Sequence, residues 1–364
     1  MKKNYFMLAA TTMMLAACAQ TDVVNEIAVE ETPQEIGFST FAGKVTRAEN
    51  SNEETQESLG IHHSDFNVWA YKDTYTEYVF DNVKVFLNGT EWKYDGAKYW
   101  DKAANKYEFY AAAPHNEKWE LKEGDNQASN YFVYKDFELL NTTIKSTSYV
   151  ESFKGVNTQD LMIASPECVE EADILSGAKV QLDFNHILSR LNVTVKKSAT
   201  LANEVVNLSS ISINKLSNIG SFDESDAEGH RWTLAENIGS ITGEKLDGVG
   251  SKGSYVIQSL VMPQNVSYDA IDRNGSTNNQ TTDPYLYITY TIGGEPFATS
   301  YNLANAFGMN QDGTYVEFKE GWQNTLNITI DADAIEFDAV TFKWDEHVKT
   351  ENVPVIGTEK ENTK

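Results

Sequence analysis

The sequence predicts an all-β protein made of two consecutive antiparallel β-sandwich domains. Apolar and polar residues alternate in many short runs, turn dipeptides such as Asn88-Gly89 and Gly293-Gly294 separate the runs, and helical periodicity is nearly absent. Clean alternation is typical of antiparallel sheets with one buried and one solvated face. The 364 residues are 41% hydrophobic, which is enough for real cores and excludes a wholly disordered chain.

The first 17 residues are typical of an export signal. Lys2 and Lys3 precede an apolar run over residues 5–17, which is shorter than the roughly 20 residues of a membrane-spanning helix. The run ends in Leu15-Ala16-Ala17-Cys18, which resembles the lipobox of bacterial lipoproteins. We therefore expect Cys18 to be acylated and to anchor the mature chain in a membrane, with an ordinary signal peptide as the alternative.

Residues 18–60 are predicted to form a tether that carries one β-strand and a cleavage site. Nine acidic and two basic residues give this stretch the composition of a solvated linker. A short apolar run inside it predicts a strand, whose apolar side chains are Ile36, Phe38 and Phe41. Arg47-Ala48 follows, and a basic residue in an extendable segment is a favourable protease site, although an ordinary linker fits equally well.

Residues 61–176 are predicted to form an N-terminal sandwich domain. Asn88-Gly89 is the favoured dipeptide of a two-residue hairpin turn, because both turn positions require positive φ, and Pro114 should end a strand. Ser165-Pro166-Glu167 resembles a helix start, so a short helical turn is expected before Gly177, at the domain boundary.

Residues 177–364 are predicted to form a C-terminal sandwich domain that ends in a short polar tail. Val180 and Phe184 lie on one face of its first strand, whereas Leu191 and Val193 continue on the other parity. That change of phase indicates a bulge or a strand break near Ser189-Arg190.

Charge and cysteine content exclude several function classes. With 29 basic and 54 acidic side chains the net charge is −25, so no nucleic-acid partner is expected. The two cysteines, Cys18 and Cys168, exclude a disulfide-rich scaffold and a cysteine-ligated zinc site. Cys168 is expected to be a small buried hydrophobe.

No catalytic, cofactor-binding or metal-binding residues are predicted. HExxH spacing, a GxSxG elbow and a P-loop do not occur. Asp331-Ala332-Asp333 lacks the glycine and glutamate of a calcium loop, and His186 is expected to be a hydrogen-bonded core histidine. The seven tryptophans are expected mainly in the core, with a sugar-stacking platform as the alternative.

Several segments, taken in order along the chain, resemble the fimbrillin family, the lipoprotein pilins of Bacteroides-type bacteria. They are the lipobox, Ile36-Gly37-Phe38 with Thr46-Arg47-Ala48, residues 107–110 before Pro114, Asp160-Leu161-Met162, residues 180–191, Val261-Met262-Pro263-Gln264, and Ile335-Glu336-Phe337 through Trp344.

This resemblance implies two transthyretin-like sandwich domains and a structural or adhesive subunit of a cell-surface fimbria, not an enzyme. It also implies export to the outer membrane as a lipidated precursor and cleavage after Arg47 by a trypsin-like protease. Removal of a plug strand, with Ile36, Phe38 and Phe41, would open a groove that a strand of another fimbrial subunit fills.

The C-terminal end departs from the family pattern for shaft subunits, which donate a strand from beyond the last core strand. Here the apolar residues of the tail are Val353, Val355 and Ile356, and Pro354 interrupts them. A tip or accessory subunit therefore fits as well as a shaft subunit, unless Val340, Phe342 and Trp344 form the donor strand. The competing interpretation is a monomeric outer-membrane lipoprotein that binds a host or other glycan, which needs neither a plug strand nor Arg47.

Overall fold

Segments in which apolar and polar residues alternate form strands in the computed structural model. The structure describes residues 32–42, 59, 63–73, 78–124, 130–140, 159–226, 231–235, 239–267, 283–308 and 315–343. Within these residues there are twenty-one strands and two short α-helices. The all-β prediction is confirmed. No helix in the described part of the chain is long and apolar enough to cross a membrane.

The elements of the first half are β1 Phe38–Ala42, β2 Asp65–Lys72, β3 Tyr78–Asn88, β4 Glu91–Tyr94, β5 Lys106–Ala113, β6 Trp119–Lys122, β7 Tyr131–Glu138, β8 Met162–Glu170, α1 Glu171–Ser176 and β9 Val180–His186. The elements of the second half are β10 Ser189–Lys197, β11 Val206–Leu216, β12 Ile219–Asp223, β13 Trp232–Leu234, β14 Gly239–Thr242, β15 Ser254–Val261, β16 Gln264–Ser267, β17 Tyr285–Ile292, β18 Glu295–Asn302, α2 Leu303–Phe307, β19 Tyr315–Phe318, β20 Trp322–Ile330 and β21 Ile335–Lys343.

A seven-stranded sheet, in the order β1-β9-β8-β5-β2-β3-β4, is the centre of the first sandwich. One of its faces packs on the sheet β13-β12-β7-β6 around Trp69, Trp119 and Phe222. The opposite face buries a second core that contains Phe66 and Phe109. Because alternate residues of β2 and β5 enter alternate cores, both parities of these strands are buried.

The second sandwich packs the sheet β15-β10-β20-β21 on the sheet β14-β11-β17-β18. Its core contains Leu191 and Val193 of β10, Ile211 of β11, Ile288 of β17 and Ile328 of β20. Strands β10 and β20 run parallel, as β1 and β9 do, and the other pairs are antiparallel. A separate ribbon, β16 with β19, adds two further antiparallel strands.

The predicted domain boundary at 176/177 falls between β8 and β9, which are neighbours in one sheet. Strands β12 and β13, from the second half of the sequence, complete the first sandwich by pairing with β7. The described residues from Gln34 onward belong to one compact unit, and Thr32 and Pro33, which precede it, are exposed.

Three local predictions need correction. The turn of the first hairpin is Gly89-Thr90, because Asn88 pairs with Glu91, although Gly89 has the expected positive φ of 66°. Ser165-Pro166-Glu167 belongs to β8, and the helix begins only at Glu171. Cys168 is exposed, because the register of β8 against β5 shifts between Phe109 and Ala111 and Val169 points inward instead.

Candidate functional site at the N-terminal strand

Strand β1 is an edge strand with one neighbouring strand in its sheet. It runs parallel to β9, with Phe38 opposite Val180 and Ala42 opposite Phe184. The N–H of Val180 donates to the carbonyl of Gly37 at 2.9 Å, which extends the pairing by one residue. One side of the N-terminal strand is therefore bonded to a strand that lies about 140 residues further along the chain.

The residues before β1 form hydrogen bonds on the side of the segment that faces away from β9. The N–H of Ile36 donates to the carbonyl of Lys98 at 2.9 Å, and the N–H of Trp100 donates to the carbonyl of Gln34 at 2.9 Å. The hydroxyl of Tyr94 donates to the carbonyl of Ile36 at 2.8 Å, and burial raises the pKa of that hydroxyl to about 12. Residues 34–42 thus lie between β9 and the segment that follows β4.

One face of this segment is part of the hydrophobic core. The side chains of Ile36, Phe38, Thr40 and Ala42 are all less than one-tenth exposed. The Phe38 ring packs edge-to-face on four aromatic rings at centroid distances of 5.5–6.1 Å, those of Phe66, Phe80, Tyr94 and Phe109. Such pairs contribute about 0.5–1.5 kcal/mol each beyond area burial, so Phe38 is the main anchor of β1.

Thr40 is the one polar residue among the buried side chains on this face of β1. Its hydroxyl oxygen is buried and has no hydrogen-bond partner among the described residues. A buried hydroxyl without a partner costs about 1–3 kcal/mol. Strand β1 therefore combines one favourable anchor, Phe38, with one unfavourable contact, that of Thr40.

Phe41 lies on the other face of β1. It shares this face with Gly37 and Ser39 and is half-buried, whereas Ile36 and Phe38 point into the core. Two of the three predicted plug residues therefore share a row. The sequence did not reveal Thr40 and Ala42 as the other members, although their parity with Phe38 was the available signal.

The predicted lipidation and processing residues, Cys18, Arg47 and Ala48, lie outside the described residues. Strand β1 ends at Ala42, five positions before Arg47. The predicted cleavage bond therefore lies five residues after the end of the buried strand.

The residues predicted as a donor strand are divided. Val340 and Phe342 belong to β21, an edge strand that pairs with β20 from Ile330↔Ile335 to Trp322↔Lys343. Val340 is 40% exposed, and Ile335 is buried on the inner face. The remaining candidates, Trp344, Val353, Val355 and Ile356, lie outside the described residues.

The other singled-out groups have structural surroundings. His186 is buried and its Nδ1 lies 2.9 Å and 3.1 Å from the two carboxylate oxygens of buried Asp160, so the prediction of a hydrogen-bonded core histidine is confirmed. Asp331 accepts hydrogen bonds from Ser198, Thr200 and the N–H of Ala332. In the described part of the chain no three His, Cys, Asp or Glu side chains are grouped as metal ligands.

Comparison with known families decides the identity of the fold. The model of the fimbrillin-like family matches residues 46–344, which is most of the chain. The chain belongs to the fimbrillin-like family. The resemblance inferred from the sequence segments is therefore confirmed.

Two solved structures have a similar fold to this fimbrillin-like chain. A fimbrial protein from Bacteroides vulgatus matches with 14% identity and a TM-score of 0.53, over 85% of this chain and 99% of that one. A proposed cell adhesion protein from Bacteroides ovatus matches with 11% identity and a TM-score of 0.50, over 85% of this chain and 98% of that one. No curated protein sequence matches this chain.

Proposed function

We propose that this chain is a subunit of a cell-surface fimbria and that β1 is a temporary occupant of the place where another subunit binds. The observation that supports the proposal is the position of residues 34–42, which fill an apolar gap between β9 and residues 98–100. Family membership supports a structural or adhesive fimbrial role for the whole chain.

Assembly would begin with cleavage of the bond between Arg47 and Ala48 by a trypsin-like protease. The cut separates β1 from the rest of the chain, so that only noncovalent contacts hold it. Its departure would expose unpaired N–H and C=O groups of β9 beside the rings that surround Phe38. An open sheet edge next to an apolar groove is a strong site for strand addition, and a neighbouring subunit would supply the strand.

The donor is better placed in the tail than in β21. Withdrawing β21 would break its pairing with β20 and expose Ile335 and Phe337, which pack in the core of the second sandwich. A donor that contains Val353, Val355 and Ile356 leaves that core closed. A subunit whose tail does not bind in a neighbour's groove would end a fibre and occupy its tip. A subunit whose tail does bind would belong to the shaft.

The cleavage step is tested with a variant that cannot be cut at the proposed bond. We expect Arg47→Ala to accumulate as an intact precursor and to form no high-mass, SDS-resistant ladder after treatment with an arginine-specific trypsin-like protease. Lys44→Ala is the matched control, since it removes the nearby lysine and leaves Arg47. Normal ladders from Arg47→Ala would refute the cleavage proposal.

Strand release is tested separately with a reversible lock. Ser39 and Gln181 are register partners on the outer face of β1 and β9, at a spacing between strands that a disulfide can span. In a Cys168→Ser background, Ser39→Cys with Gln181→Cys should allow cleavage and block polymerisation until a reductant is added. Polymerisation of the oxidised, cleaved protein would show that β1 does not need to leave.

The membrane anchor has its own test. We propose that acylated Cys18 holds the precursor at the outer membrane, exposed on the cell surface. Cells fed with labelled palmitate should label the wild-type protein and not Cys18→Ser, and the variant should lose its membrane association. Labelling of Cys18→Ser to the wild-type level would contradict the proposal.

A further inference from the structure

A cleft lies beside β13. Trp232 of this strand packs in the core on one face of the seven-stranded sheet, and Phe38 of β1 packs in the core on the opposite face. The cleft is formed by β13, the β15–β16 connection and the segment from β19 to the start of β20, and its volume is about 540 Å³. Sites for small ligands commonly have volumes of about 300–1,000 Å³. We call it the Arg231 cleft, and its lining includes Arg231, Leu234, Asn265, Glu317, Glu320 and Trp322.

The base of the Arg231 cleft is rigid and apolar. Trp232 is 9% exposed, and its indole N–H donates to the carbonyl of Ile187 at 2.8 Å. Phe318 also lines the cleft, is buried, and packs edge-to-face on Phe307. A wall fixed in this way does not need to be ordered when a ligand binds, which lowers the entropic cost of binding.

The charged groups of the cleft are already paired with each other. Arg231 forms an ion pair with Glu320, lies 3.7 Å from Glu224, and stacks its guanidinium 5.3 Å from the ring centroid of Phe222. Lys319 forms a 3.1 Å ion pair with Glu317. The lining holds two cations, Arg231 and Lys319, and two carboxylates, Glu317 and Glu320, so it offers no excess positive charge to an anionic ligand.

Paired charges still offer many hydrogen-bond positions. A carboxylate accepts several hydrogen bonds and a guanidinium donates five, so one ion pair does not use them all. Asn265 adds an exposed amide at the rim. An apolar ligand would desolvate these groups without replacing their hydrogen bonds, whereas a polyhydroxylated ligand would replace them.

Trp322 supplies the remaining element of recognition. It is half-buried in the cleft wall, and the ammonium of Lys319 lies 5.5 Å from its ring centroid. Because the indole is partly open to solvent, the C–H face of a sugar ring can take the place of that ammonium on the ring while its hydroxyls reach the polar groups.

We propose that the Arg231 cleft binds a short, uncharged oligosaccharide. The binding site is independent of the proposed assembly mechanism, because no lining residue of the cleft belongs to residues 34–42 or to β9. The cleft would thus give a fimbrial subunit an adhesive activity before and after processing. Failure of the assembly proposal leaves this prediction intact.

The test uses the full chain, purified in detergent, and a panel of neutral oligosaccharides of two to four units with their sialylated and sulfated counterparts. We expect neutral members to bind with micromolar to millimolar affinity in calorimetry and to change the tryptophan fluorescence. Trp322→Ala should weaken binding at least about tenfold, because it removes the stacking surface.

Two further variants keep the result interpretable if Trp322→Ala folds poorly. Asn265→Ala changes an exposed rim residue and should weaken binding severalfold with an unchanged melting temperature. Tyr287→Ala, which removes a 38% exposed aromatic residue on β17, is the control and should bind as the wild type does. The proposal is overturned if no neutral probe binds, if only sialylated or sulfated probes bind, or if Trp322→Ala and Asn265→Ala bind normally.

Discussion

The two edge strands β1 and β21 close their cores in different ways. Strand β1 has five residues, pairs with β9 alone, and comes from a part of the chain about 140 residues from its partner. Strand β21 has nine residues, pairs with β20 along its whole length, and follows that strand after a short turn. We therefore expect β1 to separate from its sandwich at a lower free-energy cost than β21.

The largest effect should come from truncating the anchor of β1. Phe38→Ala should lower the unfolding free energy of the precursor by about 3–5 kcal/mol, because it removes a buried ring with four aromatic neighbours. After cleavage the effect should vanish, since the cut peptide carries residue 38 away. Denaturant unfolding of the precursor and of the isolated processed protein measures both values.

The matched change in β21 is Phe337→Ala, whose ring packs edge-to-face on Tyr301 at 4.8 Å. It should cost about 2 kcal/mol, equally in precursor and processed protein, because β21 stays in place. If Phe38→Ala still destabilises the processed sample, the cut peptide has remained bound and the contrast between the two strands fails.

A smaller effect with opposite signs is expected from two threonine-to-valine changes. Thr40→Val removes a buried hydroxyl that has no described partner, so the precursor should gain about 1 kcal/mol of stability and exchange β1 more slowly. Thr341→Val in β21 removes a hydroxyl that donates to Asn324 at 3.1 Å, and should lose about 1 kcal/mol. Thermal melts of both variants check the signs, and a destabilised Thr40→Val would indicate that this hydroxyl is satisfied.

The smallest effect concerns the ion pairs of Arg231, which precedes β13 and contacts Glu320 in the β19–β20 turn and Glu224 after β12. Burial raises the pKa values of Glu320 and Glu224 above the ordinary 4.5, and Arg231 offsets part of the shift. The folded state then holds these protons more tightly than the unfolded state. The unfolding free energy should therefore fall as pH rises from about 4.5 through the folded pKa values.

Glu320→Gln should flatten that slope, since one of the two titrating groups is gone. Denaturant midpoints measured near pH 5 and near pH 7 give the comparison. Glu295→Gln, which changes an exposed carboxylate on β18, serves as the control and should keep the wild-type slope. Equal slopes in all three proteins would mean that Glu320 does not titrate in this range.

Local patterns predicted most of the strands, and their failures have physical causes. Gly293-Gly294 forms the predicted turn, with φ values of 58° and 92°, because only glycine-like residues suit both positions. The first hairpin turns one residue later than predicted, since pairing of Asn88 with Glu91 decides its register. Cys168 was expected inside, but an irregularity in β8 changes the parity of the residues after it.

The groove that β1 occupies was less predictable from the sequence than β1 itself. A short apolar run predicted a strand at residues 36–41, and family resemblance gave it the role of a plug. The partner β9 and the closing segment 98–100 are distant in sequence, and no local pattern shows such a pairing. The Arg231 cleft has the same origin, because its lining comes from three separate stretches that the tertiary fold brings together.

In the proposed assembly, the parallel pairing of β1 with β9 would give a fibre of this subunit a direction of growth. A donor strand that reproduces these hydrogen bonds must run the same way as β9, so each subunit enters its neighbour in one orientation. Contacts of this head-to-tail kind join two different surfaces and do not close on themselves, so they extend as a filament. One end of such a filament would present an empty groove and the other a free C-terminal tail. Growth would stop when a subunit without a usable tail is added, and this would set the length.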